Sequence, residues 1–344
     1  MVHKLYHQKK SIMRQLTFIL FSVAFSSLSV FVSCKKKNET PATPVVTVPK
    51  PVAEAVVQAS GMYAPAYAIV TNQSQNASSY KWFVNGVEVS TAASPKLSLR
   101  NPGEYTVRLV AYNSKGEENS KVFTLAVQKH PFLVHQYTFT NSMQNEGSST
   151  VPAVNENAVF AADRKQVASS ALYFNGTNSV VRLPQSISVT YPDSLSLSVW
   201  FKVEDLTKSG VVFGYQSSIH PVMAAHYVPA LYYAPNGKLY MRMWTENVFI
   251  DHFQTNGQLN NWVHVVIAAN KKGQDLYVNG VKVASVAGRT TDTYMHHSYL
   301  GATYATGLWA GLTTGNNLFK GWIDDVRIYN KKLTAVEVEQ LFNE

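Results

Sequence analysis

Residues 195–203 read Leu-Ser-Leu-Ser-Val-Trp-Phe-Lys-Val, and this alternation is the period-2 pattern of a β-strand with one face turned to a core. Leu195, Leu197, Val199, Phe201 and Val203 form the apolar face, while Ser196, Ser198, Trp200 and Lys202 point the other way. Trp200 on that second face is compatible with cover by a loop or with a place in a groove.

Similar patterns run downstream. Trp262 to Ala268 leads through a turn at Lys271-Lys272-Gly273 to Gln274–Val283, where Asn279-Gly280 sits between two alternating runs. Asn-Gly is a strong hairpin signal, because both central residues of a type I′ turn need positive φ. The stretch Phe319 to Asn330 reads as a closing strand. After it, Val336, Val338, Leu341 and Phe342 predict a short helix begun by Thr334 as its N-cap. Short strands with turn signals between them predict a sandwich or jelly roll over residues 131–344.

Upstream, Tyr80-Lys81-Trp82-Phe83-Val84-Asn85-Gly86-Val87-Glu88-Val89 carries a second Asn-Gly hairpin. In Gly103 to Asn113, Tyr105, Val107, Leu109 and Ala111 share a face, so residues 53–129 are expected to form a separate small β-sandwich. Charged residues make up only 15% of the chain, too few for helices with wet faces, and the expected class is all-β.

The formal charge of +9 over 344 residues gathers at the start. Lys4, Lys9, Lys10 and Arg14 precede an apolar run at 16–32, and Lys35, Lys36 and Lys37 follow Cys34. From Thr40 onward the balance is about +3, so the folded part lacks the basic footprint that nucleic acid requires. Residues 1–34 have the layout of a secretory signal, and residues 35–52, rich in Thr, Pro and Val, read as an extended tether. Cys34 is the sole cysteine, which excludes an intrachain disulfide.

Three resemblances follow from these segments. Phe31-Val32-Ser33-Cys34 resembles the lipobox of bacterial lipoproteins, with Phe where Leu is usual. The match implies acylation at Cys34 and attachment to the cell envelope through a lipid anchor. YKWFVNG, together with GEYTVRLVAYNSKGEENS, resembles the PKD family of Ig-like domains, which implies a spacer or protein-contact unit with Trp82 in its core. ALYFNG, SLSVWFKV, NNWVHVV, DLYVNGVKV and FKGWIDDVRIYNKKLTAVEVEQL occur in the order found in LamG-like or concanavalin A-like jelly rolls. That similarity implies two curved antiparallel sheets, a habit of binding glycan or protein, and often one calcium ion. Matching the family's positions assigns Asn175 and Asp325 to calcium, with Asn145 and Glu146 as loop contributors. Hydrogen bonding at turns and strand edges is an equal reading of Asp324 and Asp325.

No catalytic motif stands out. Glycosidases use two carboxylates flanking the scissile bond, and the adjacent pairs Glu204-Asp205 and Asp324-Asp325 are expected to diverge on their strands. There is also no Gly-x-Ser-x-Gly elbow, His-Glu-x-x-His helix or phosphate loop, so binding rather than catalysis is expected. Sugars are held by aromatic faces with a few polar groups. Two aromatic-rich segments supply such candidates: His226, Tyr233, Arg242 and Trp244 in one, Tyr304, Trp309 and Asn316 in the other. The second segment, 299–319, is glycine-rich and is expected to be a long loop carrying function. Tyr232, Tyr240 and Trp244 are equally compatible with a core. The expected function is glycan binding by a cell-envelope lipoprotein. The alternatives are adhesion to another envelope protein and, after that, a glycoside hydrolase of jelly-roll fold.

Overall fold

In the computed structural model, the alternating stretch forms the strand Ser194–Val203 inside an eight-stranded antiparallel sheet. The structure describes residues 47–184, 194–223, 226–235, 237–243, 253–256, 259–287 and 297–344. The export segment, Cys34, most of the tether and Trp244 lie outside them. Residues 48–344 form one compact unit. Among the described residues no helix is long and apolar enough to cross a membrane.

The first part of this unit is a pair of small antiparallel sheets. One has three strands, with Ala66–Asn72 between Ala55–Ala59 and Lys96–Leu99. The other has four, in the order Val87–Ser90, Ser79–Val84, Gly103–Tyr112, Glu118–Val127. Trp82, fully buried, anchors the core between them with Leu97, Leu99, Val107 and Leu109, and its indole N–H donates to the Ala92 carbonyl at 3.0 Å. The Asn85-Gly86 turn has φ of 49° and 84°, as a type I′ hairpin requires. The Tyr105 hydroxyl donates to the Asn101 carbonyl at 2.6 Å and accepts from the Asn101 N–H, which pins the corner that enters the long Gly103–Tyr112 strand.

The rest is a two-layer sandwich. In the eight-stranded sheet the closing strand Lys320–Tyr329 lies beside Ser194–Val203, followed outward by Val263–Asn270, Gly273–Val278 and Val281–Ala287. Two shorter strands share the closing strand's other edge end to end: Ala171–Asn175 pairs with 320–323, and Leu133–Tyr137 pairs with 326–329. Val159–Ala161 lies beyond Ala171–Asn175. The facing seven-stranded sheet runs Phe253–Asn256, Lys238–Met241, Tyr227–Ala234, Gly210–Gln216, His297–Leu300, Val180–Arg182 and Val154–Glu156. Leu197, Val199, Phe201 and Val203 belong to the large core of this sandwich, with Phe213, Leu231, Tyr233 and Phe319. The described residues are nearly all-β, with one short helix at the C-terminal end.

The second face of the Ser194–Val203 strand is buried as well. The helix Ala335–Phe342 begins with a full capping box, Thr334 and Glu337 satisfying each other's backbone N–H. It packs Val338 and Leu341 against Val266, Ala268, Tyr277 and Tyr329 on the outside of the eight-stranded sheet. Beneath this cover, Ser196 accepts from the Leu333 N–H and Ser198 bonds the His264 ring. Trp200 stacks on His264 and Phe342 at ring separations of 5.0 and 5.6 Å. The open question of Trp200 is thereby decided in favour of packing.

Candidate functional site

The pair Asp324-Asp325 departs from the expected divergence. The pairing between Ser194–Val203 and the closing strand shifts between Ser198 and Trp200, so one extra residue bulges from the closing strand. Asp325 takes the strained φ of 45°. A bulge re-aims side chains, and here both carboxylates reach the Arg164 Nη1 atom. Asp325 also accepts two hydrogen bonds from Arg100 at 2.9 and 3.1 Å, and Arg327 lies 3.6 Å away. Glu344 joins through Arg327 and Arg100, each at 2.7 Å. The Arg164 guanidinium also lies over the Trp200 ring, 4.6 Å from its centroid.

Burial and the neighbouring Asp325 charge push the Asp324 carboxyl up to about 8. Burial pushes Asp325 the same way, but Arg327, Arg100 and Arg164 outweigh it and hold that carboxyl down at about 2. Two carboxyls driven apart in this manner can divide acid and base roles. These two are 1% and 0% exposed and already hold guanidinium partners, so no substrate atom reaches them. The cluster is structural. It joins the first sandwich, through Arg100, to the second.

The residues assigned to calcium do not assemble. Asp325 is saturated by three arginines. Asn175 caps its own turn, accepting from the N–H groups of Thr177 and Asn178. It pairs with Lys320, five residues from Asp325 along the closing strand, or about 16 Å at strand rise. Asn145 accepts from Gln136 and Gly147 and bonds His135, while Glu146 takes the Thr138 hydroxyl at 2.5 Å. Calcium needs six to eight oxygens in one place, and among the described residues no group of three or more His, Cys, Asp and Glu side chains could hold a metal ion.

The aromatic candidates divide. Tyr233 is buried between the sheets, its ring centroid 6.0 Å from that of Phe319. Arg242 is buried too, at 4% exposure. Of the segment 299–319, expected to be a long loop, Tyr299 and Leu300 end a strand and residues 301–319 form a strap across the outer face of the seven-stranded sheet. The Tyr232 hydroxyl donates to the Ala310 carbonyl at 3.2 Å, and Trp309 and Leu312 join the core. Gly311 lies so close to Ala234 that a Cβ there would stand 2.4 Å from the Ala234 methyl. Trp309 is only 7% exposed; its apolar partners come from across the sheet, where local sequence does not show them.

Tyr304, His226 and Asn316, by contrast, come together at one edge of the sandwich. Gln216 and Tyr227 close a hairpin between adjacent strands, and the two-residue strands Tyr304–Ala305 and Gly315–Asn316 pair beside it. The Tyr227 and Tyr304 rings meet edge to face at 5.2 Å, and the Tyr227 hydroxyl donates to Thr306 Oγ1 at 2.9 Å. Gln216 Oε1 accepts the Tyr304 N–H. The Asn316 amide donates to the Pro221 carbonyl, which ties the two loops together. His226 is exposed, and both tyrosines keep part of their surface in solvent. Four exposed aliphatic side chains, Ile219, Val222, Met223 and Leu308, stand on the same two loops. The sequence reading left out Gln216 and Thr306 because their role depends on pairing between segments about 90 residues apart.

Comparison with known proteins finds several similarities. The family model of the Concanavalin A-like lectin/glucanases superfamily matches residues 175–339. The chain is similar to domain 4 of AbnA, an extracellular arabinanase from Geobacillus stearothermophilus solved with arabinotriose. The identity is 19% and the TM-score 0.43, over 61% of this chain and 98% of that one. It is also similar to a Trypanosoma rangeli sialidase solved with 2,3-difluoro-KDN, at 13% identity and TM-score 0.46, over 82% of this chain and 49% of that one. A third similarity is to the binding domain of botulinum neurotoxin DC in complex with rat synaptotagmin II, at 13% identity and TM-score 0.44, over 62% and 51% of the two chains. No curated protein sequence matches the chain.

Proposed function

We propose that this protein is a cell-envelope lipoprotein, acylated at Cys34, that binds a polysaccharide through the Tyr227–Tyr304 edge of its second sandwich and carries out no catalysis. The observation that supports this most is the edge itself. It has two partly exposed aromatic rings fixed at 5.2 Å, with the Thr306 and Asn316 side chains beside them and the exposed His226 next to Tyr227 in the chain. Ring faces stack on the C–H patches of sugars, and amide and hydroxyl groups meet their hydroxyls. The first sandwich, with its core Trp82 and its pinned Tyr105, fits the PKD-like spacer reading. Retention of the protein on immobilised polysaccharides, compared with that of Tyr304→Ala, tests the proposal. Retention that the substitution weakens about tenfold supports it, and retention on no polysaccharide overturns it. The exposed Ile219, Val222, Met223 and Leu308 favour a second reading, adhesion to an envelope protein. On that reading, a protein would co-purify with the unmodified chain and be lost from Leu308→Asp.

A further inference from the structure

A pocket of about 220 Å³ opens where the first sandwich meets the C-terminal helix. Its walls are the Ser60–Pro65 turn on one side, and His130, Tyr329 and the helix residues Glu337 and Gln340 on the other. Contacts across the seam hold it open to this shape. Gln340 Nε2 donates to Ser60 Oγ at 3.1 Å, and the Tyr67 hydroxyl donates to the Gln340 carbonyl at 3.4 Å.

Three rings face one another here. His130 meets Tyr63 at 5.0 Å and Tyr329 at 5.1 Å, the latter edge-on. The polar groups fall into two sets. Those of His130 and Glu337 are already engaged: the imidazole accepts the Phe132 N–H at one nitrogen and meets Glu337 at the other, and Glu337 also takes Lys331 and Thr334. Its negative charge is matched within the wall, so the pocket offers no net charge to a ligand. The second set is free. Among the described residues, the Tyr63 and Tyr329 hydroxyls and Gln340 Oε1 have no hydrogen-bond partner. Tyr329 as a whole is only 1% exposed, but its hydroxyl oxygen is not sealed from solvent, so it is open to a ligand in the pocket.

We infer that this seam pocket binds one neutral pyranose residue. Aromatic rings suit the C–H faces of the sugar, two tyrosine hydroxyls and one amide oxygen suit its hydroxyls, and the lack of free charge disfavours acidic or basic ligands. The volume lies below the roughly 300 to 1,000 Å³ of sites that enclose drug-sized molecules, which limits the occupant to a single ring. The site is distinct from the Tyr227–Tyr304 edge and does not rest on it.

The test uses the full chain and the methyl glycosides of glucose, galactose and mannose, observed by saturation-transfer NMR with N-acetyl-tyrosinamide as a non-sugar probe. Gly61→Leu directs a side chain at the Gln340 amide, 3.1 Å from the added Cβ, and so into the pocket. Tyr329→Phe keeps the shape and removes one hydroxyl. At least one glycoside should bind, with affinity weakened about five- to tenfold in Tyr329→Phe, lost in Gly61→Leu and unchanged in Lys81→Ala, which lies at neither site. Circular dichroism confirms that each variant is folded. No glycoside binding, binding that survives Gly61→Leu in a Tyr304→Ala background, or binding of N-acetyl-tyrosinamide alone would overturn the inference. Polysaccharide retention lost in Tyr304→Ala while no glycoside binds would remove the seam site and leave the edge site standing. Glycoside binding lost in Gly61→Leu, without retention on any polysaccharide, would do the reverse.

Discussion

The Asp325 cluster and the Tyr227–Tyr304 edge are both rich in polar and aromatic groups, and both bring together segments distant in sequence. In the cluster, three arginines, three carboxylates and Trp200 meet under a helix, and the two aspartates are sealed from solvent. At the edge, the tyrosine rings, His226 and Asn316 keep surface in water, and their internal hydrogen bonds do no more than fix the loops. Burial in one place and remaining exposure in the other separate a part that holds the fold from a part that can meet a ligand.

The hardest way to break this contrast is to remove the centre of the cluster. Asp325→Ala leaves Arg100, Arg164 and Arg327 facing one another, and loss of one partner of a buried ion network costs about 3–5 kcal/mol. Urea denaturation followed by tryptophan fluorescence should show a loss of that size, and a loss below about 1 kcal/mol would show that the arginines find other partners.

Acid should act next, and in the same region. Burial, with Arg327 and Arg164 nearby, lowers the His264 imidazole to about 3. The folded state therefore refuses a proton that the unfolded chain accepts below about 6.5. The stability tied to neutral His264 is complete above pH 6.5 and falls as pH drops toward 3, by about 1.4 kcal/mol per unit. His135, lowered by burial to about 4, adds a loss of the same sign. Asp325, held near 2, begins to lose its contribution only below about pH 4. Asp324, raised to about 8, acts in the opposite sense, adding stability as pH falls from about 8 toward 4. His264→Gln should therefore shift the slope between pH 6.5 and 5 toward stabilisation by acid, and an unchanged slope would sink this assignment.

The edge should respond in the opposite sense. Tyr304→Ala is expected to leave folding stability within about 1 kcal/mol and to weaken polysaccharide retention about tenfold, the scale of one lost aromatic contact. A drop in stability with retention intact would move Tyr304 to the structural side. The smallest effect sets the floor: Lys81→Ala breaks an exposed pair with Glu88 and should change stability by less than about 0.5 kcal/mol.

The elements themselves were legible from short-range pattern. Period-2 alternation gave the Ser194–Val203 strand, Asn-Gly gave turns with positive φ at Asn85-Gly86 and Asn279-Gly280, and Thr334 with Glu337 gave the start of the helix. What covers each strand was less legible. Ser196 and Ser198 look like solvent-facing residues because their partners, Leu333 and His264, stand 137 and 66 positions away. Trp309 looks unsupported for the same reason. The bulge at Asp325 leaves no glycine or proline to mark it, so the meeting of both aspartates at Arg164 could not be anticipated. Arg327, set between Val326 and Ile328 in the closing strand, was the one local hint of a buried charge.

The strap between Gly301 and Phe319 performs two tasks with one length of chain, carrying it from one layer of the sandwich to the other and plugging the sheet it leaves behind. Tolerance to sequence change along it is therefore uneven. Trp309, Gly311 and Leu312 are fixed by what lies under them, whereas Leu308, 70% exposed, is free to vary. Drift toward a new ligand has most room at that tip and in the neighbouring residues 217–223.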